Sequence, residues 1–169
     1  MAGLPAPVSR VNQRAKELDL YRLTCRRLPA LLILSTCGYA RQLLDSYQGT
    51  VNVDVAQLAT AIDAINDCAQ ACIADADADL GEQDVTEMVR CVRLSLDCTD
   101  VCTATAVVIS RPADYDANVA RPLLQACAAI CNSCGDECER HLHMQHCRIC
   151  AEACRRCEQV CRELLDATK

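Results

Sequence analysis

The chain has 169 residues and 16 cysteines, with four Tyr, no Phe and no Trp, and a net charge of −6. Its 51% hydrophobic content supports one core, filled by Ala, Leu, Ile, Val and Cys, while five Gly and five Pro exclude collagen-like or linker-like chains. Residues 1–50 carry seven Arg/Lys against three Asp/Glu, which leaves −10 on the remainder and argues against nucleic acid as a partner. The longest apolar run, Leu28 to Leu34, is seven residues, against the roughly 20 that cross a bilayer, so no membrane span or membrane partner is expected. Arg26-Arg27 before that run, with Ser35-Thr36-Cys37 after it, has the order of an export signal. The run is short, however, contains Pro29 and follows a long charged segment. The plainer reading of residues 1–37 is a helical extension.

In chain order, residues 10–27 and 30–48 read as helices parted near Pro29, with Gly49 as a stop. Asn52 or Asp54 opens a helix to about Ala78, and Gly81 ends it. Asp84 is the expected cap of another, running to about Ser110, before Arg111-Pro112 breaks the chain. Tyr115-Asp116 restarts it, with helices over about 117–141 and 144–166. Four long helices with short turns predict an all-α, antiparallel up-down-up-down four-helix bundle over 38–169, preceded by the 1–37 extension.

The cysteines then acquire a geometry. Cys127, Cys131, Cys134 and Cys138, and again Cys147, Cys150, Cys154, Cys157 and Cys161, alternate spacings of three and four. At about 100° per residue each set lies within roughly 60–80° of arc, one stripe per helix. Cys91, Cys98 and Cys102 do likewise, and Cys68 and Cys72 form a shorter stripe extended by Ala61, Ile65, Asp75 and Asp79. Four thiol stripes occupy the positions of core-facing residues, predicting a cysteine-lined core.

Cysteine as a small buried hydrophobe explains one or two such positions, not fourteen in register. Within a helix, residues three or four apart hold their Cβ atoms about 5–6 Å apart, longer than the roughly 3.5–4.5 Å of a disulfide. Bridges between helices remain open. Thiolates select soft metal ions, and a column of sulfurs suits many Cu(I) ions in succession. Zinc prefers discrete tetrahedral sets, to which the C-x-x-C pairs could contribute, and iron–sulfur clusters are typically wrapped by loops.

Antiparallel topology brings metal-friendly residues to one end: Asp75, Asp77 and Asp79, then Asp84 and Met88, then His141, His143, Met144 and His146 from the turn between the last two helices. These include all the histidines. The opposite end collects Leu58, Ile62, Val107, Ile109, Leu123, Leu124, Leu164 and Leu165, an expected apolar plug. Ions would pass the His/Met/Asp mouth and move inward to the thiols. Plain alternatives are a solvated turn for the histidines and a hydrated helix end for the aspartates.

The segments Cys68-Ala-Gln-Ala-Cys72, Cys91 through Cys98 to Cys102, and Leu124-Gln-Ala-Cys127 through His146-Cys147-Arg-Ile-Cys150 to Cys161 resemble the bacterial copper storage proteins, over roughly residues 38–166. The resemblance implies a homotetramer of bundles whose core thiolates bind many Cu(I) ions, loaded through a His/Met-containing open end. It implies storage or detoxification without catalysis, and the branch without an export signal points to the cytosol. A copper chaperone is a candidate partner. On this reading the ligands are Cys68, Cys72, Cys91, Cys98, Cys102, Cys127, Cys131, Cys134, Cys138, Cys147, Cys150, Cys154, Cys157 and Cys161. The rival readings are an iron–sulfur electron carrier and a zinc- or redox-sensing thiol protein. In the family the first bundle helix generally carries more cysteines, whereas here Ala61, Ile65, Asp75 and Asp79 hold that face, and Cys25 and Cys37 fall outside the resemblance.

Overall fold

The computed structural model describes residues 39–47, 53–114 and 116–167. The helix expected over 10–27, most of that over 30–48, Gly49, Asn52, Tyr115, Cys25 and Cys37 lie outside the described residues. Helix α1 spans Ala40–Asp45, α2 Val55–Leu80, α3 Val85–Ile109, α4 Ala117–Cys138 and α5 Gln145–Ala167. No strand occurs among the described residues, and no described helix is long and apolar enough to cross a membrane.

Local chemistry sets most of the boundaries. The Asp54 carboxylate accepts the Gln57 backbone N–H at 2.7 Å, satisfying one of the orphan donors that open α2, and Gly81 closes the helix. Asp116 accepts from the Asn118 N–H at 2.8 Å at the start of α4. Asp84, expected to cap α3, makes no side-chain cap bond there; its carboxylate takes the Thr86 hydroxyl instead. The helix expected to run to residue 141 ends as α-helix at Cys138 and tightens into a 3-10 turn over Glu139–His141, after Pro112–Asp114 forms a similar turn following α3.

Helices α2, α3, α4 and α5 pack in a closed ring, each against its chain neighbours and α5 against α2, while α1 lies on α2. The bundle is antiparallel, up-down-up-down. Among the described residues no aromatic side chain is buried in its interior, and small Ala and Cys side chains let the helices approach. Leu58, Ile62, Ile109, Leu124 and Leu164 close one end and are buried. Val107, expected in that plug, is 55% exposed and points outward, and Leu123 and Leu165 sit at the margin. Thr105 is buried instead, its hydroxyl returned to the Val101 carbonyl at 2.7 Å. On the outer wall Arg155 ties α5 to α4 and to the turn after it, donating to the Asn132 carbonyl at 3.3 Å and to Glu139 at 2.8 Å. A Cβ at Gly135 would come within 3.1 Å of that guanidinium, so glycine there makes room for it.

Candidate metal centre

Alternating spacings of three and four put the thiols of all four long helices on the bundle axis. The fourteen cysteines from Cys68 to Cys161 are fully buried and free. The bridges between helices left open by the sequence are therefore not formed. Neighbouring sulfurs instead lie at 3.6 Å for Cys72–Cys154, Cys102–Cys127 and Cys102–Cys131, and at up to 4.0 Å for Cys68–Cys98.

The column can be followed from the apolar end. Cys127, Cys157 and Cys161 group first, then Cys68, Cys102, Cys131 and Cys157, then Cys68, Cys72, Cys98 and Cys154, then Cys72, Cys134, Cys150 and Cys154. Within each group the donor atoms lie within 4.8 Å of one another, and consecutive groups share members. The thiols form a continuous chain of sites because the helical repeat of each stripe matches that of its neighbours. Sulfur-to-sulfur hydrogen bonding divides the proton affinities: Cys98 is held below the ordinary thiol value by Cys102 and Cys131, while Cys131 is pushed above it by its contacts with Cys102 and Cys127.

Towards the mouth, carboxylates replace sulfur. Asp75 and Asp79 are 2% and 0% exposed, whereas Asp77 between them faces solvent. Asp75 Oδ2 accepts the Ser95 hydroxyl at 3.0 Å and the thiols of Cys138 and Cys91 at 3.6 and 3.8 Å. Asp79 Oδ1 lies 3.1 Å from His146 Nε2 and accepts from Cys147 at 3.7 Å. Burial pushes the Asp75 carboxyl up to about 6, with the nearby Cys150 and Asp79 adding to it. The Cys147 thiol is also raised, by burial and then by the charge of Asp75.

The three histidines do not form one group. His141 Nε2 lies 3.7 Å from the buried Glu137, which also takes Arg90 Nε at 2.8 Å and Arg140 at 3.4 Å. His143 is exposed, with its ring centroid 6.3 Å from that of His141, and His146 turns inward to Asp79. Met88 is buried, and Met144 is half-buried against the core.

Ser95 and Glu137 are the polar residues of this region that the sequence reading did not single out. Ser95 fills the gap in the α3 stripe, four residues after Cys91 and three before Cys98, and its hydroxyl is 3.5 Å from Cys134. That spacing was the available signal. Glu137, beside the stripe residue Cys138, carried none.

A sequence profile described as copper storage protein matches residues 54–166. A copper storage protein from Streptomyces lividans, solved loaded with 10 copper equivalents, is 53% identical; the match covers 76% of this chain and 98% of that one, with a TM-score of 0.74. A cytosolic copper storage protein from Streptomyces lividans, solved during copper loading with five coppers, is 58% identical over 65% of this chain and 92% of that one, with a TM-score of 0.64. The Cu(I)-bound copper storage protein BsCsp3 is 30% identical over 62% of this chain and 94% of that one, with a TM-score of 0.56.

Proposed function

The chain belongs to the copper storage protein family, and we propose on that premise that it is a cytosolic reservoir holding multiple Cu(I) ions as cargo on the fourteen thiols from Cys68 to Cys161. The observation that carries the reading is the uninterrupted column of buried free thiols. Thiolate is a soft ligand suited to Cu(I). Each thiol gives up its proton on binding, so loading releases protons and weakens as pH falls. One Cu(I) per thiolate adds no net charge, and the core can fill without the cost of burying unpaired ions. The protein stores or detoxifies copper and carries out no catalysis. The Streptomyces relative described as cytosolic supports the location, and the copper-loaded relatives support the cargo. The family resemblance supports a homotetramer, and a copper chaperone is a candidate delivering partner.

Anaerobic titration of the reduced protein with Cu(I) against a competing chelator tests the reading. Saturation at roughly ten or more ions per chain, below a ceiling near one per core thiol, is expected. The loaded protein should be colourless. Saturation at one to four ions, or iron with acid-labile sulfide in freshly purified protein, would transfer the column to a sensor or an electron carrier.

Ions are admitted at His141, His143, Met144, His146, Met88, Asp75 and Asp79. The inward-turned His146 against buried Asp79, with Cys147 behind them, supports this route. Alanine at His141, His143 and His146 together should slow Cu(I) uptake by roughly tenfold, the low end of what a focusing cleft contributes to on-rates, without lowering final capacity. Stopped-flow transfer from a Cu(I)–chelator complex reads this, and unchanged kinetics would remove the gate.

A further inference from the structure

We propose that the mouth contains a separate site for one divalent ion of the zinc class, built from Asp75, Asp79, Cys91 and Cys147, with His146 supporting Asp79 from outside. One ligand atom from each of the four residues lies within 4.8 Å of the other three. Both carboxylates are withdrawn from water, at 2% and 0% exposure, yet Asp75 Oδ1 and Asp79 Oδ2 have no hydrogen-bond partner. The partners of their other oxygens are a hydroxyl, thiols and one imidazole, and no Lys or Arg pairs with either among the described residues. Two buried carboxylates that share only one imidazole are costly to ionise, and one doubly charged ion held between them offsets that cost.

The donors select the ion. Carboxylate is a hard ligand that Cu(I) disfavours, whereas zinc accepts sulfur, nitrogen and oxygen in a tetrahedral set. The bonds from Ser95 to Asp75 and between His146 and Asp79 hold the carboxylates in place from outside, as the outer partners of metal ligands commonly do. The oxygens that face the two thiols are Asp75 Oδ2 and Asp79 Oδ1, while Asp75 Oδ1 and Asp79 Oδ2 remain buried without a partner of their own. Zinc uptake converts the Cys91 and Cys147 thiols to thiolates and releases their two protons to solvent. The inference goes beyond copper storage: zinc competes with entering copper for Asp75, Asp79, Cys91 and Cys147, and the thiols deeper in the column are left to copper.

Reduced, metal-free protein is titrated anaerobically with Co(II) and then Zn(II) against a chromophoric chelator before any copper is added, so the result stands apart from the storage reading. One tight ion per chain is expected, with Co(II) showing both a thiolate charge-transfer band and the visible bands of a four-coordinate ion. The double variant Asp75→Asn, Asp79→Asn, checked for helical circular dichroism, should lose affinity by on the order of 100-fold or more. Asp79→Asn alone is the second variant, and the wild-type stoichiometry and spectrum decide even if both variants misfold. Several zinc ions per chain, held equally well by the variants, would place zinc on the deep thiols and overturn the site. Absence of tight zinc binding, or a Co(II) spectrum without the thiolate band, would overturn it as well.

Discussion

Serine at Cys68, Cys102, Cys131 and Cys157 together is expected to lower the Cu(I) bound at saturation by roughly four to six ions per chain. The four sulfurs form one group within 4.8 Å, and the column passes through it. Cys68 reaches Cys72 and Cys154 on the mouth side at 3.9 and 3.8 Å, while Cys102 and Cys157 reach Cys127 on the closed side at 3.6 and 3.7 Å. Hydroxyls at these positions are hard, stay protonated and hold no Cu(I). The loss therefore includes the four substituted ligands and extends to Cys127 and Cys161, which become cut off from the mouth. Serine keeps the fold testable because its hydroxyl can return to the carbonyl four residues back, as Thr105 does to Val101 in the same bundle. Chelator-competed titration of wild type and variant side by side reads the difference. Equal capacities would mean that copper sits elsewhere and would sink the storage column.

The thiol column was legible in the sequence because the physics that makes it is local. A stripe at spacings of three and four faces one way on any α-helix, so the nine cysteines from Cys127 to Cys161 declared their direction before any partner helix was known. The mouth was legible only in part. Asp75 and Asp79 continue the Cys68–Cys72 stripe and are buried with it, whereas Asp77, two residues from each, is exposed for the same periodic reason. The pairings made across helices were not legible. Whether His146 meets Asp79 and Arg90 meets Glu137 depends on how the helices pack and where the 3-10 turn at Glu139–His141 points the chain, a property of packing and not of spacing. Val107 fails as a plug residue on similar grounds: near the end of α3 the buried position falls to Ala106 and Ile109, and a β-branched apolar residue between them is left facing outward.

Asp75→Asn is expected to stabilise the metal-free bundle at neutral pH by about 2–3 kcal/mol. Burial, and then the neighbouring Cys150 and Asp79, raise the Asp75 carboxyl from an ordinary 3.8 to about 6 in the folded state. Below the ordinary value the group is protonated both folded and unfolded, and it imposes no penalty. As pH rises from about 4 to 6 the unfolded chain gives up this proton while the folded chain retains it, so stability falls with pH. Above about 6 the full penalty is present. Asparagine stays neutral throughout and can still accept the Ser95 hydroxyl that Asp75 Oδ2 accepts at 3.0 Å. The decline attributable to this residue should then disappear. Urea unfolding of the reduced apo-protein at several pH values, wild type against variant, reads both effects. A variant less stable than wild type at pH 7, or one whose stability falls across pH 4–6 as steeply as the wild type, would show that the carboxylate is well compensated in the empty bundle. With the zinc ion proposed above held by Asp75, the same substitution should also narrow the stability gap between empty and zinc-loaded protein, since a ligand that binds only the folded state stabilises it and the variant binds it more weakly.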